Sequence, residues 1–428
     1  MGRCLTLLLF VIVAAGAPAR AKQYSVSIPP EGAAKYKEAN YALWLPDGVQ
    51  RIRGIIMHQH GCGEPAELAG ATATFDVQWQ ALASKWDCAL MGASLRASTA
   101  CQDWSEPNNG SGDAFLKAID QFAQQTGHTE LTSVPWVLWG HSGGANWVYR
   151  MFMLHPQRVL VLVLRSGPVF SGDLFTGALD TPVLYNLGAK EKNDNQFGRI
   201  WTKAQQLFEA RRAKGGLDTW APDPQSSHDC RFGRLFVIPY IDACLTRRLG
   251  PANAGAGEIG RMDLFTACLG SIDSSGLTAL YEPKSYGGDP TKAVWLPNRQ
   301  IASMWLEFIG RGWVTDLTPP PAPTHLEASR TDPDHVTLRW QAQADLQSGI
   351  KTFRVYRNNR PLPAYRGADG EIFQKPNYHD TLDKHLSEMA YTDPNATGDY
   401  TYRVTAVNWS GLESRKSDPA TIQPAGSR

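Results

Sequence analysis

Neither sign of charge dominates this sequence: 42 Lys and Arg stand against 41 Asp and Glu among 428 residues, a formal net charge of +1. Such a balance lacks the one-signed field that a polyanion-binding protein uses, so no nucleic-acid partner is expected. Long apolar runs are missing too. No stretch approaches the ~20 uninterrupted apolar residues of a membrane-spanning helix, so no stable membrane insertion is expected. With 43% hydrophobic and 19% charged residues, the composition is neither that of a disordered chain nor that of collagen. The length is nearly three times a typical domain of ~150 residues, which points to two or three domains with cores of their own.

Cysteine is sparse, at seven residues, and its placement is informative. Arg3, the apolar run Leu5 to Ala15 and the small-x-small sequence Ala19-Arg20-Ala21 read as a secretory leader spanning residues 1–21. A secreted or periplasmic location follows, and loss of Arg3 and Arg20 takes the net charge from +1 to −1. Cleavage also removes Cys4, leaving an even set in an oxidising compartment, where disulfides are the default. Short loops suggest Cys88 with Cys101 and Cys244 with Cys268, which leaves Cys62 for Cys230. That last bridge would tie together two loops singled out below.

Proline marks the clearest boundary. Residues 318–323, Thr-Pro-Pro-Pro-Ala-Pro, cannot continue a helix and read as a stiff spacer between residues 22–317 and 324–428. Before it, short apolar strands alternate with amphipathic helical stretches, the pattern of a mainly parallel sheet with helices on both faces. Strands are expected at Tyr41 to Trp44, Gly54 to His58, Ala89 to Ala93, Trp136 to Trp139, Val159 to Leu164 and Val183 to Asn186. The run Val159 to Leu164 has no polar alternation and belongs at the sheet centre. After the spacer the period changes to two, with strands at His335 to Trp340, Thr352 to Tyr356 and Tyr400 to Val407.

Chemistry concentrates around Gly140-His141-Ser142-Gly143-Gly144, where an apolar strand runs through G-x-S-x-G into a helical stretch, Asn146 to Leu154. A serine on such an elbow needs glycines beside it because the strained turn brings backbone too close for side chains. Serine is a weak nucleophile without a base and a carboxylate that orients the base, and these follow it in the order acid, then His. Among the histidines after Ser142, His155 closes the elbow helix and His325, His335, His379 and His385 lie beyond the boundary. His228, in a loop before the amphipathic stretch Arg231 to Arg247, is left as the base. The acid belongs after the strand ending at Asn186: Glu191 holds the G-x-x-[DE] position, Asp194 is its rival and Asp173 a third choice.

An acyl-transfer site also needs two backbone donors for the oxyanion. Gly143 follows the nucleophile and supplies one. Gly61 and Cys62, in the loop His60-Gly-Cys-Gly after the strand that starts at Gly54, are candidates for the other. His58, His60 and Cys62 alternate along one face as metal ligands could, but no completing carboxylate or cysteine pair has metal-site spacing, so no metal is expected. Trp147, Trp201 and Trp220 are candidate substrate contacts or core residues. The loop Ala97 to Asp113, with Trp104, and the segment Pro251 to Pro283 are candidates for shaping a pocket.

With these residues in place, the first 315 resemble an α/β-hydrolase. Within that superfamily the HGCG loop resembles the HGC of extracellular polyhydroxybutyrate depolymerases and their relatives, the feruloyl and acetylxylan esterases. The resemblance implies a serine carboxylic-ester hydrolase that works through an acyl-enzyme on an ester substrate, polyester or polysaccharide-linked, without metal or organic cofactor. A peptidase of the same fold, or an adhesion protein that kept the fold, are the alternatives. Residues 324 to 422 resemble a fibronectin type III sandwich, with VTLRW supplying a core Trp340, FRVYRN the next strand and YTYRVTAVNWSGLES the closing hairpin. Tyr400 sits where the family's tyrosine corner would lie, with Tyr402 as competitor. Such a module is expected to contact polymer or another protein.

Overall fold

The structure is a computed structural model that describes residues 22–64, 66–97, 100–101, 103–169, 175–250, 259–272, 278–367, 369–375 and 388–423. Residues 1–21, read above as a leader, and Asp173, His379 and His385 lie outside the described residues. The larger unit is built on an eight-stranded mixed sheet. Its strands are β1 (Lys22–Ser27), β2 (Tyr36–Leu45), β3 (Gly54–Gln59), β4 (Cys88–Ala97), β5 (Trp136–His141), β6 (Val159–Arg165), β7 (Val183–Asn186) and β8 (Asp218–Trp220). They lie in the order β1-β2-β4-β3-β5-β6-β7-β8. From β4 to β8 all neighbours are parallel, while β1 and β2 run antiparallel at one edge.

Helices cover both faces, as the unbroken apolar run of β6 requires; all seven of its residues are buried. The helices are α1 (Ala66–Ala69), α2 (Val77–Lys85), α3 (Ser111–Thr126), α4 (Gly143–Leu154), α5 (Gly198–Ala213), α6 (Arg234–Arg248) and α7 (Arg299–Arg311). On one face, Trp136 of β5 meets Phe115 of α3, which meets Trp147 of α4 edge to face. On the other, Trp139 of β5 packs with Trp79 of α2, and Phe236 of α6 stacks on Phe308 of α7. The alternation of side chains along β5 thus fills both layers from one strand. The described part of Pro251 to Pro283 contributes to a small antiparallel sheet, β9 (Cys268–Ile272), β10 (Thr278–Tyr281) and β11 (Val294–Leu296).

The smaller unit is all β: β12 (Thr324–Asp332), β13 (His335–Gln341), β14 (Thr352–Arg357), β15 (Arg360–Pro361), β16 (Ala390–Pro394), β17 (Tyr400–Val407) and β18 (Ala420–Ile422). Two antiparallel sheets, β12-β13-β16 and β15-β14-β17-β18, share one core that includes Val336, Leu338, Trp340, Phe353, Val355 and Val404. Trp340 is in that core. Tyr402, not Tyr400, is the fully buried tyrosine of β17, and its hydroxyl donates to Asp393 Oδ2 at 2.7 Å. Alternation puts both tyrosines on the face of Val404 and Ala406, and position along the strand separates them, since Tyr400 is its first residue and only partly buried.

The proline segment is extended but does not hold the two units apart. Val77 and Ala81 of α2 belong to the sandwich core, and Gln78 Nε2 donates to Leu346 O at 3.2 Å. At the junction Asp316, just before the prolines, accepts from Ser348 Oγ (2.6 Å) and Asn408 Nδ2 (2.8 Å) through Oδ2. Asn408 Nδ2 also approaches Asp345 Oδ2 at 3.2 Å, and Asp345 Oδ1 accepts the N–H groups of Ser348 and Gly349. Burial, and then the charge of Asp316, push the Asp345 carboxyl up to about 6 from an ordinary value of 3.8. A group with a raised native pKa stabilises the fold fully below its unfolded value and loses that contribution as pH rises through about 6. We therefore expect unfolding free energy to gain about 1–3 kcal/mol from Asp345 between neutral pH and about pH 4.5. Urea titrations of wild type and Asp345→Asn at the two pH values isolate that increment, and equal pH slopes in the two proteins would exclude it.

Candidate active site

The elbow is set by close backbone approach. A Cβ on Gly140 would collide with Gly144 O, and one on Gly144 with the carbonyls of Gln59 and His60 at the end of β3. Ser142 between them is held at φ 53°, ψ −115°, a left-handed conformation that costs a side-chain-bearing residue energy. Its N–H donates to Arg165 O at the end of β6, 2.9 Å away, and α4 starts at the next residue. The hydroxyl is thereby presented at the carboxyl edge of the sheet.

His228 reaches it from the loop between β8 and α6. Its Nε2 lies 2.8 Å from Ser142 Oγ and its Nδ1 2.5 Å from Glu191 Oε1. With Nδ1–H donating to the carboxylate, Nε2 is left to accept the serine proton. Glu191, in a short 3-10 turn after β7, is fully buried. Gly188 lets this turn and the His228 loop touch, since a Cβ there would collide with Ser227 O. The rival Asp194 is occupied elsewhere: its Oδ1 accepts from the N–H groups of Gln196 (2.7 Å) and Phe197 (2.9 Å) where the chain turns into α5. Phe197 then lies flat on the His228 imidazole, with ring centroids 3.8 Å apart and planes 2° apart. Asp194 so contributes to the site through Phe197.

Two residues that sequence reasoning passed over bond the His228 loop. His141 Nε2 donates to His228 O at 2.7 Å, and Arg165 donates to Asn186 O and to atoms of residues 226, 227 and 229. The signals were faint: a His inside the elbow motif and a cation ending an otherwise apolar strand. Asp223, at the start of the same loop, has its carboxyl raised by burial, with the N–H of Gln225 and the charge of Arg165 acting in opposition.

The second candidate oxyanion donor sits on a loop fixed from several sides. His60, fully buried, accepts Leu95 N–H at Nε2 (2.9 Å), which leaves Nδ1–H to donate to Gly61 O (2.5 Å). His58 stacks on Trp139 at 3.9 Å. Among the described residues no group of three His, Cys, Asp or Glu side chains could hold a metal. Glu67 accepts from Gly63 N and from Trp104 Nε1, so Trp104 is a buried support and not a pocket wall. Trp147 is likewise core, and Trp201 meets the mostly buried Trp220 edge to face.

The disulfide pattern differs from that expected by loop length. Cys62 is bonded to Cys101, with Cα atoms 5.4 Å apart, so neither Cys62–Cys230 nor Cys88–Cys101 forms. Cys88, Cys244 and Cys268 are thiols, and burial pushes Cys88 up to about 12. Geometry decides, because Cys88 begins an interior strand and is fully buried. The bridge lies against the elbow: a Cβ on Gly143 would collide with Cys62 Sγ and stand 3.1 Å from Cys101 Sγ. Closing a loop with a sequence separation of 39 stabilises the fold by about 3–4 kcal/mol through chain entropy. Cys101→Ser is expected to lower the urea midpoint accordingly and to reduce kcat roughly ten-fold, by loosening a backbone donor. An unchanged midpoint and kcat would remove both roles.

No family model and no curated protein matches the sequence. Among solved structures, titin domains A168-A170 match at 23% identity and TM-score 0.18, covering 25% of this chain and 32% of that one. The central fibronectin-III array of RIM-binding protein matches at 16% identity and TM-score 0.18, covering 26% of this chain and 37% of that one. A family 28 exopolygalacturonase from Yersinia enterocolitica matches at 20% identity and TM-score 0.18, covering 24% of this chain and 20% of that one. The chain thus spans about a third of the titin fragment's length, and likeness of this extent determines neither family nor activity.

Proposed function

We propose that this chain is an exported serine carboxylic-ester hydrolase of the α/β-hydrolase type carrying a fibronectin type III-like sandwich. The observation that carries the reading is the continuous relay from Ser142 Oγ through His228 to the buried Glu191, with the serine on a positive-φ elbow. His228 takes the proton as Oγ adds to the ester carbonyl carbon, and Glu191 holds the imidazole in the required tautomer and stabilises the imidazolium. The tetrahedral oxyanion is received by Gly143 N–H, the first of α4 and without an intrahelical acceptor, and by the 61–62 backbone. His228 then returns the proton to the departing alkoxide, leaving an acyl-Ser142 that water cleaves by the same steps in reverse. The Cys62–Cys101 bridge suits the oxidising compartment that the leader implies.

The test is hydrolysis of p-nitrophenyl acetate and butyrate beside the matching p-nitroanilides. Burst release of p-nitrophenol in proportion to enzyme, with the anilides inert, is the expected result. Anilide cleavage at comparable kcat/KM would reassign the site to a peptidase, and inertness toward both would sink the hydrolase.

A further inference from the structure

We propose that Arg165 is a positioning residue that sets nucleophile and base in register from one point, a role that deepens the ester-hydrolase reading. Arg165 ends β6 between His141 of β5 and Asn186 of β7, which are its register partners on either side. Its carbonyl accepts the N–H of Ser142 at 2.9 Å. Its guanidinium, in the opposite direction, donates to Asn186 O (3.0 Å), Ser226 Oγ (2.9 Å) and Asp229 O, with Ser227 O at 3.5 Å. His228 is therefore bracketed in sequence by residues the fork grips, while His141 holds its own carbonyl.

A small pocket lined in part by Trp79, Trp139, Arg165, Cys230 and Arg234 lies beside the loop. The guanidinium is 1% exposed, and its hydrogen-bond partners are neutral carbonyls and a hydroxyl; Asp223 acts on it only through space. Burying a cation against neutral partners costs desolvation that an apolar side chain would avoid. Planar fork geometry explains the choice of arginine, because a lysine offers one point charge and could not span Asn186 and residues 226–229 together.

Two readouts separate positioning from mere stability. The first is the downfield proton resonance of His228 Nδ1–H held against Glu191, assigned by its loss in His228→Ala, which needs no substrate. The second is kcat per Ser142 titrated with a phosphonate, read beside KM. In folded Arg165→Met the resonance is expected to vanish by solvent exchange, and kcat per site to fall about 100-fold with KM little changed. Arg165→Lys should recover part of both. Folded Arg165→Met with a wild-type resonance and wild-type kcat overturns the proposal. Should Arg165→Met not fold, Ser226→Ala removes one grip and leaves the guanidinium; faster exchange of the resonance supports the role and an unchanged rate overturns it. A wild type inert toward esters sinks the hydrolase reading, and the resonance then decides the role of Arg165 by itself.

Discussion

Ser142→Ala is expected to lower kcat for p-nitrophenyl butyrate by roughly 10⁴- to 10⁶-fold, the range seen when a triad nucleophile is removed. The loss comes from one atom. Ser142 Oγ sits 2.8 Å from His228 Nε2. Both serine and alanine carry a Cβ, so the strain of φ 53° is shared by the two proteins and cancels in the comparison. Folding stability should therefore move by less than about 1 kcal/mol, which urea denaturation measures alongside the rates. A variant that retains more than a tenth of wild-type activity would show that hydrolysis runs through another group. Phosphonate labelling gives the same decision by mass, with the adduct expected on the peptide containing Ser142 and absent from the variant.

The elbow was legible because its requirements are local. Flanking glycines, an apolar strand and a helical stretch all lie within about twenty residues, and steric exclusion at Gly140 and Gly144 leaves no alternative residue type. The burial of β6 was legible for a similar reason, since a run without polar alternation has to be covered on both faces, although the strand lies sixth of eight and not at the sheet centre. What could not be read was set by contacts distant in sequence. Cys101 pairs with Cys62 and not Cys88, with both sulfurs beside Gly143, and loop length carries no such information. Val77 and Ala81 looked like the apolar side of an ordinary helix, yet they complete the core of a sandwich some 260 residues further along the chain. Arg165 and His141 gave only type and position; their partners lie in a loop sixty residues or more downstream. Tyr400 and Tyr402 lie two residues apart on one face of β17, so strand phase cannot separate them; depth along the strand does, with Tyr402 fully buried and Tyr400 partly buried against the same core.

The acid was the finest ambiguity, and it yields the second large effect. Glu191 and Asp194 are three residues apart across a tight turn, so a loop register alone could not separate them. Glu191→Gln preserves size and burial but turns the acceptor at His228 Nδ1 into an amide that can present N–H, which favours the tautomer with its proton on Nε2. That nitrogen then cannot accept from Ser142, and kcat should fall by about 10⁴-fold, as for the equivalent carboxylate-to-amide change in a serine protease triad. Asp194→Asn keeps an oxygen at Oδ1 to accept from Gln196 and Phe197, so the turn into α5 and the Phe197 ring over His228 should survive. Its kcat should stay within about three-fold of wild type, in keeping with loss of at most one surface charge near the site. Asp194→Ala removes the acceptor as well and should cost more, about 1 kcal/mol in stability together with a looser Phe197. The ratio of the two amide variants is the decisive number: near 10³ or above it places the orienting charge on Glu191. A ratio near one, with both variants active, would mean that His228 is oriented by its backbone grips and not by a buried carboxylate.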